Sequence, residues 1–247
     1  MKRILAAIGT ALLACGASAQ MPGGLGEVMK GVESITRERG AAPRAGAADE
    51  ATNASGIREA LAVGTENAVK SLSRPDGYFG NEAVKILMPS SIRRVADIAR
   101  MAGFQKQVDE FVLSMNRAAE KAAPLAAKFF GDAIRDMSMH DARGILTGGD
   151  TAATAYFRSR TEDRLYAAFK PVVSKSVGEV GATRAYADLM GRYERMPLGR
   201  RHSLDLDDYV TRKALDGLFH AVGEEEKKIR RNPLARTTDL LKTVFGS

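Results

Sequence analysis

The residues that could perform chemistry are few and stand apart from one another in the sequence. The three histidines are His140, His202 and His220, and none has a second histidine or a cysteine at a spacing typical of metal ligands. The sequence contains no HExxH, no GxSxG and no P-loop motif. We therefore predict no metal centre and no cofactor. The spacing of these residues identifies no catalytic residue.

Neighbouring carboxylates occur at positions 207–208 and 224–226. Consecutive residues of a helix project in different directions, so these carboxylates do not form a dyad for general acid–base catalysis. Glu224 precedes Lys228 by four residues, and Glu226 precedes Arg230 by the same distance. This order favours ion pairs on an exposed helix. We interpret both runs as helix-capping and ion-pairing residues.

The best local candidate for a ligand site is the sequence LTGGDTAATAYFR, from Leu146 to Arg158. Gly148 and Gly149 permit a positive φ, and the helix start that follows offers free backbone N–H groups to an anion. Asp150 stands where a helix cap belongs, so its own carboxylate could fill the site. Arg158 lies over two turns further on and cannot reach Asp150 within one straight helix. It pairs elsewhere or lines a cleft.

A helical period dominates the sequence after Ser90. Apolar residues recur every three or four positions from Phe104 to Ala122 and again from Leu206 to Val222. Pro171 is expected to kink or split the helical stretch in which it lies. The pattern predicts an all-α fold, a single compact multi-helix domain of roughly nine or ten helices.

The segment from Ser73 to Pro89 interrupts this pattern. Pro75, Asp76 and Gly77 form a turn signal, and short apolar runs follow at Tyr78-Phe79 and at residues 84–88. These runs are candidates for extended structure. We predict at most one short β-hairpin, located here.

The end of the chain predicts a structural clasp. Asn232 is a good helix N-cap, and Pro233 is favoured at the first helical position. Arg236 and Asp239 lie three residues apart on one face of the closing helix and could pair, or Arg236 could reach an acidic residue on another helix. The apolar residues after Asp239 can then fold back onto the apolar face of residues 206–222. We predict a structural role for this turn.

The beginning of the chain is typical of an export signal. Lys2 and Arg3 precede a short apolar run that ends in Ala-Ser-Ala, and cleavage is expected after Ala19. The apolar run is too short to span a bilayer, so we predict a periplasmic or secreted protein without a transmembrane segment in the mature chain. The run Leu-Leu-Ala-Cys, ending at Cys15, also resembles a lipobox. Lipidation and anchoring through Cys15 is therefore the alternative.

The composition divides the chain into three regions. Removing the first 19 residues leaves 228, which is enough for one large domain. Residues 40–55 are small, polar and aperiodic, so we assign 20–55 to an N-terminal arm and linker. The helical domain is assigned to 56–247, and its first helix is expected to be capped by Asn53 or Ser55.

Charge and aromatic content exclude several classes of partner. The formal net charge is +7, and acidic and basic residues are interleaved along the chain. Nucleic-acid-binding domains concentrate their basic charge, so we predict no nucleic-acid partner. Tryptophan is absent and aromatic residues make up 6% of the sequence, which argues against a carbohydrate-stacking platform.

Several stretches resemble a family of uncharacterised bacterial envelope proteins, catalogued as domain of unknown function forty-one ninety-seven. The similar stretches are GIREALAVGTENAV from Gly56, DGYFGNEAVKILMP from Asp76, SMNRAAEKAAP from Ser114, ILTGGDTAATAYFR from Ile145, LDDYVTRKALDGLF from Leu206 and EEEKKIRRNPLARTTDLLKTVFG from Glu224. The resemblance implies a secreted, mostly helical single domain. It implies no activity, no cofactor and no catalytic residue.

Two classes of function follow from these observations. We favour a non-catalytic binding or structural module of the envelope, which meets an envelope partner or a small ligand. The alternatives are a hydrolase or transferase whose site only the fold assembles, and a lipoprotein associated with the membrane surface. A convergent cleft that holds carboxylates in opposed environments would favour the enzyme. The most informative single observation is whether one concave, partly apolar pocket lies beside Asp150 and Arg158.

Overall fold

The computed structural model describes residues 45–179 and 205–231, and helices make up most of both ranges. The described residues from Gly46 onward belong to one compact unit. In chain order the helices are α1 (Ala45–Ser73), α2 (Ser90–Met101), α3 (Gln105–Ala122), α4 (Ala126–Arg135), α5 (Met139–Thr147), α6 (Ala152–Glu179) and α7 (Leu206–Arg231), with a short 3-10 helix, Ala123–Leu125, between α3 and α4.

The all-α prediction is confirmed for the described residues, which contain no strand. The predicted number of helices concerns the whole chain and stays a prediction. The start of the first helix was placed too late, because α1 begins at Ala45 and not near Asn53 or Ser55. Five of the ten residues from 45 to 54 are alanine, the best helix former. Residues 45–55 therefore belong to a helix and not to a linker.

Helix α6 lies at the centre of the described residues and packs against α3, α4, α5 and α7. Its inner face buries Phe157, Leu165, Phe169 and Val173. The ring of Phe157 lies 5.0 Å from that of Phe130 on α4, measured between centroids. A tilted pair of aromatic rings at this distance adds to the stability that burial provides.

Of the two predicted effects of Pro171, a kink or a split, the split does not occur, since the helix runs without a break from Ala152 to Glu179. A proline inside a helix leaves the carbonyl four residues earlier without a donor. Here Pro171 and Ala167 are both exposed, so water can serve that carbonyl. Phe169 and Val173, on either side of the proline, hold the helix against the core.

Residues 74–89 form turns and an irregular stretch between α1 and α2, which we call the 74–89 segment. The predicted turn is confirmed, and Asp76 adopts a left-handed conformation with φ of 64°. At Gly77 a Cβ atom would lie 2.5 Å from the carbonyl oxygen of Leu72, so only glycine fits. The candidate hairpin is absent from these residues. Their backbone bonds to side chains of α3 instead of to a second strand.

Helix α3 fixes the 74–89 segment through a buried amide and a buried carboxylate. The Asn116 side chain accepts a hydrogen bond from the N–H of Ile86 at 2.8 Å and donates to its carbonyl at 2.9 Å. The carboxylate of Glu120 accepts from the N–H groups of Tyr78 and Phe79 at 3.1 and 3.2 Å. Arg117 donates to Glu120 at 2.6 Å. These bonds replace the ladder that a strand would need.

Helix α7 holds the same segment from another side. The hydroxyl of Tyr78 donates to the carbonyl of Ala214 at 2.7 Å, and the ring lies against Gly217. Burial, with a smaller contribution from the charge of Glu120, raises the pKa of Tyr78 far above its ordinary value. Tyr78 therefore stays a neutral donor.

We expect Gly217→Ala to lower the free energy of unfolding by about 1–3 kcal/mol, because overpacking forces buried groups to move. A Cβ atom at Gly217 would lie 2.7 Å from the Tyr78 ring and 3.1 Å from the Cβ of Val84. The control is Gly144→Ala on α5, where nothing lies within 4 Å of the added atom. The free energy of unfolding of that variant should rise by about 0.5–1 kcal/mol, because alanine favours a helix more than glycine does. Urea unfolding measures both. Equal stability of the two variants would contradict the close approach of α7 to Tyr78.

We expect Thr211→Val to stabilise the protein by about 1 kcal/mol. Thr211 is fully buried on α7, and its hydroxyl is the one buried side-chain oxygen or nitrogen among the described residues without a hydrogen-bond partner. Replacing an unsatisfied hydroxyl with a methyl group removes its desolvation penalty. The control is Thr161→Val. Because Thr161 donates to the carbonyl of Phe157 at 2.7 Å, this variant should not be more stable than the unaltered protein. A loss of stability in Thr211→Val would show that its hydroxyl has a partner.

Candidate functional site

Gly148 and Gly149 lie between α5 and α6, as the sequence predicts. Gly148 has φ of −79°, and Gly103 is the one described glycine with a positive φ. The freedom to adopt a positive φ is therefore not used at this turn. Gly148 is needed for a different reason, because a Cβ there would lie 2.6 Å from the Cβ of Ala152 and 2.7 Å from the carbonyl oxygen of Gly144.

The backbone N–H groups at the start of α6 bind a carboxylate from α7. Glu226 accepts from the N–H of Ala153 at 3.0 Å, from the N–H of Thr154 at 2.9 Å and from the Thr154 hydroxyl at 2.9 Å. Its side chain is 6% exposed. The anion position predicted here is thus filled by the protein itself. Glu226 fills it, and not Asp150 as the sequence suggested.

Arg230 completes this arrangement. It donates to Glu226 at 2.9 Å, as the four-residue spacing predicted, and to the carbonyl of Ile145 at 2.7 Å. The Arg230 side chain is nearly as buried as that of Glu226. The sequence interpretation, which placed both charges on an exposed helix, missed this burial. The spacing of Val222, Glu226 and Ile229 continues the apolar face of α7, and this signal could have identified Glu226 as buried. Through these hydrogen bonds, Glu226 and Arg230 of α7 contact both α5 and α6.

Asp150 and Arg158 are not brought together. Asp150 pairs with Arg231 at the end of α7. Arg158 donates to Glu162 at 2.8 Å, and its guanidinium lies 4.5 Å from the centroid of the Phe219 ring. Neither Asp150 nor Arg158 lines the cavities described below. None of these cavities is therefore the pocket that was sought beside Asp150 and Arg158.

The remaining site predictions fall partly outside the described residues. Within residues 45–179 and 205–231, no group of three or more His, Cys, Asp or Glu side chains could hold a metal ion. In the same ranges, no helix is long and apolar enough to cross a membrane. Cys15, the clasp of Asn232, Pro233, Arg236 and Asp239, and the signal peptide lie outside these ranges and stay predictions.

A small cavity lies between α1, α5, α6 and α7. It holds about 20 Å³ and is lined mainly by apolar residues, among them Leu61, Phe157 and Val222, with Glu226 and Arg230 at its polar side. This volume accommodates about one water molecule. The cavity is therefore too small for an organic ligand.

A wide open groove lies between the 74–89 segment, α2 and α3, and we call it the α2 groove. Its volume is about 550 Å³, within the range of ligand-binding clefts. Its apolar lining consists of Phe79, Leu87, Met88 and Val112. Leu87 is 55% exposed, although its neighbours Ile86 and Met88 are buried. A second opening of about 410 Å³ lies between α1 and α4 and has a mostly apolar lining.

Among the described residues, one cation that lines the α2 groove has no carboxylate partner. Arg100 donates to Asp97 at 3.0 Å and lies 3.9 Å from Asp109. Lys85 pairs with Glu82 at 3.3 Å. Arg93 also lines the groove, is exposed, and forms no ion pair with any described residue. The groove therefore offers an apolar surface beside the guanidinium of Arg93, which has no ion-pair partner in the part of the chain that the structure describes.

The comparisons with known proteins identify a family but no activity. The family described as "Protein of unknown function (DUF4197)" matches residues 47–246. The chain belongs to this family, whose function is unknown, and the resemblance predicted from the sequence is confirmed. No curated protein and no solved structure matches the chain.

Proposed function

We propose that this chain is an exported, non-catalytic binding module of the bacterial envelope and that the α2 groove is its binding surface. The observation that carries the proposal is the groove itself, with exposed Leu87 beside Arg93, which has no ion-pair partner among the described residues. The buried polar side chains of Asn116, Glu120 and Glu226, in contrast, all hold backbone groups in place. Exposed apolar surface beside polar groups is typical of an interaction site.

Export is the second part of the proposal. It is supported by the basic start, the short apolar run and the Ala-Ser-Ala sequence before the expected cleavage after Ala19. Mass spectrometry of the mature protein tests it. A start at Gln20 supports soluble export, a diacylated Cys15 supports the lipid-anchored alternative, and an intact Met1 contradicts both.

Site-directed photo-crosslinking in the producing cell tests the binding surface. We expect a photo-reactive residue at Leu87 to give a discrete adduct. The same residue at Met139, which is 44% exposed on α5, should not give that adduct. The charge reversal Arg93→Glu should remove the Leu87 adduct, whereas Arg94→Glu, at a neighbouring exposed position outside the groove, should keep it. Adducts that do not depend on position or on Arg93 would overturn the proposal.

The turn between α2 and α3 favours a second candidate, contact with a lipid surface. Residues 101–106 are all exposed, and Met101 reaches 89% and Phe104 44%. Exposed apolar side chains on one turn can enter the boundary between headgroups and acyl chains. Cosedimentation with vesicles of phosphatidylglycerol and phosphatidylethanolamine tests this candidate. The double variant Met101→Ser, Phe104→Ser should lose vesicle binding and Met139→Ser should keep it. No cosedimentation of the unaltered protein would exclude the candidate.

A further inference from the structure

The exposed apolar side chains of the described residues are concentrated at α2. Six large apolar side chains are exposed in the described ranges, and four of them lie in or beside this helix: Leu87, Ile98, Met101 and Phe104. Leu87 precedes α2 and lines the α2 groove, whereas Met101 and Phe104 lie at the other end of the helix. A concentration of exposed apolar side chains is typical of a surface that a partner covers.

Opposite charges lie between these two apolar ends. Arg93, Asp97 and Met101 follow one another at intervals of four residues, so they lie on one side of α2. Asp97 pairs with Arg100, and Arg93 has no ion-pair partner among the described residues. Both Arg93 and Asp97 are exposed. From Leu87 to the end of the helix, this side is therefore apolar, basic, acidic and apolar in turn.

This order of residues is self-complementary about one point on α2. Arg93 and Asp97 lie equally far from Val95, and Leu87 and Phe104 lie eight and nine residues away from it on opposite sides. In a two-fold symmetric interface, residue i of one copy contacts residue j of the other, and j contacts i. A second α2 that crosses the first antiparallel at the level of Val95 therefore brings Arg93 to Asp97 twice. It also brings the Leu87 end of each copy to the Phe104 end of the other.

We propose that the α2 groove binds a second copy of this chain, with the two α2 helices antiparallel. Arg93 of each copy pairs with Asp97 of the other, and Leu87 of each copy contacts Met101 and Phe104 of the other. The inference rests on the proposed function of this groove, because it names the partner.

The charges that line the groove favour a second copy over a partner of one charge sign. Lys85 is already paired with Glu82. The other charged side chains of the lining are two cations and two carboxylates, namely Arg93, Arg100, Asp97 and Asp109. A partner of either sign therefore meets like charge in the groove, which opposes binding. An antiparallel copy presents each sign to the opposite one.

Size-exclusion chromatography with light scattering tests self-association of the mature chain. We expect the mass of a dimer. Arg93→Asp and Asp97→Arg each place two pairs of like charges across the two-fold axis, so each variant should raise the dissociation constant of the dimer at least about tenfold. The matched control is Arg94→Asp, a charge reversal at an exposed position outside the groove, which should leave the dissociation constant unchanged.

A mixture of the two interface variants separates contact between copies from effects within one chain. Arg93→Asp leaves two carboxylates on the interface of its chain, and Asp97→Arg leaves two guanidinium groups. The two variants should therefore form a mixed dimer more readily than either forms a dimer with itself. An affinity tag on one variant lets native mass spectrometry distinguish the mixed dimer by its mass. A misfolded chain would not recover on mixing, so the mixed dimer excludes a merely structural effect of the substitutions.

A mature chain that remains monomeric at the highest concentration tested would overturn the inference. A mixed dimer that is no more stable than the dimers of the single variants would overturn the Arg93–Asp97 contact. In the producing cell, the Leu87 adduct should have twice the mass of the chain. An Arg93-dependent adduct of another mass overturns the inference and leaves the groove a binding surface. If the chain is monomeric and no adduct forms, the proposed function fails with the inference.

Discussion

Replacing Glu226 with alanine should lower the free energy of unfolding by about 3–5 kcal/mol, because breaking a buried ion pair leaves the other charge uncompensated. The substitution removes the acceptor for the N–H groups of Ala153 and Thr154 at the start of α6. It also leaves Arg230, whose side chain is 13% exposed, without its carboxylate. Urea unfolding followed by circular dichroism measures the loss.

The neighbouring Glu224 provides the matched control. Its side chain is 47% exposed and pairs with Lys227 at 2.8 Å, so Glu224→Ala should cost about 0–1 kcal/mol. The double variant Glu226→Ala, Arg230→Ala should be less destabilised than the sum of the two single variants, because the two side chains interact directly and each single variant already loses that interaction. Equal effects of Glu226→Ala and Glu224→Ala would contradict the burial of Glu226.

Replacing Asn116 with alanine should cost about 2–4 kcal/mol, since each buried polar group that loses its partner costs about 1–3 kcal/mol. The substitution leaves the N–H and the carbonyl of Ile86, which bind the amide at 2.8 and 2.9 Å, without a partner. It also removes the bond from the amide to the carbonyl of Val112. Ile86 is itself buried, so water cannot readily replace the amide. Urea unfolding gives the loss, and hydrogen exchange of the Ile86 amide should become faster.

The control for this prediction is Asn67→Ala on α1. The Asn67 amide forms a longer hydrogen bond, 3.3 Å, with Glu225 at an exposed position. Its loss should change the free energy of unfolding by about 0.5 kcal/mol or less. An Asn116→Ala variant that retains full stability and slow exchange at Ile86 would show that the amide does not hold the 74–89 segment.

The sequence predicted those parts of the fold that depend on local pattern. The run from Phe104 to Ala122 has a clean helical period, and α3 spans Gln105–Ala122. The turn at residues 75–77 follows from its proline and glycine. The roles of Asn116 and Glu120 could not be predicted in this way, because their backbone partners lie 30 and 42 residues away. A polar residue at such a position shows its role only when the segment packed on it is known.

The candidate site illustrates the same limit. The glycine turn and the helix start at α6 were located correctly from sequence, including the free N–H groups that attract an anion. The acceptor that fills them comes from Glu226, 73 residues beyond Ala153. The α2 groove was not predicted, because the exposure of Leu87 depends on how Asn116 and Tyr209 orient its backbone. No local signal encodes that orientation.

The contacts that hold the 74–89 segment also affect the order in which the parts of the protein can fold. Its contacts reach 30 residues forward to Asn116 and 136 residues forward to Ala214. Contacts between distant residues form late in folding, because the loop between them must first be closed. We expect the 74–89 segment to lack its final structure during synthesis until α7 has left the ribosome and packed against it. The α2 groove is then completed only after α7 has docked, so a chain that is unfinished or only partly folded presents no complete binding surface.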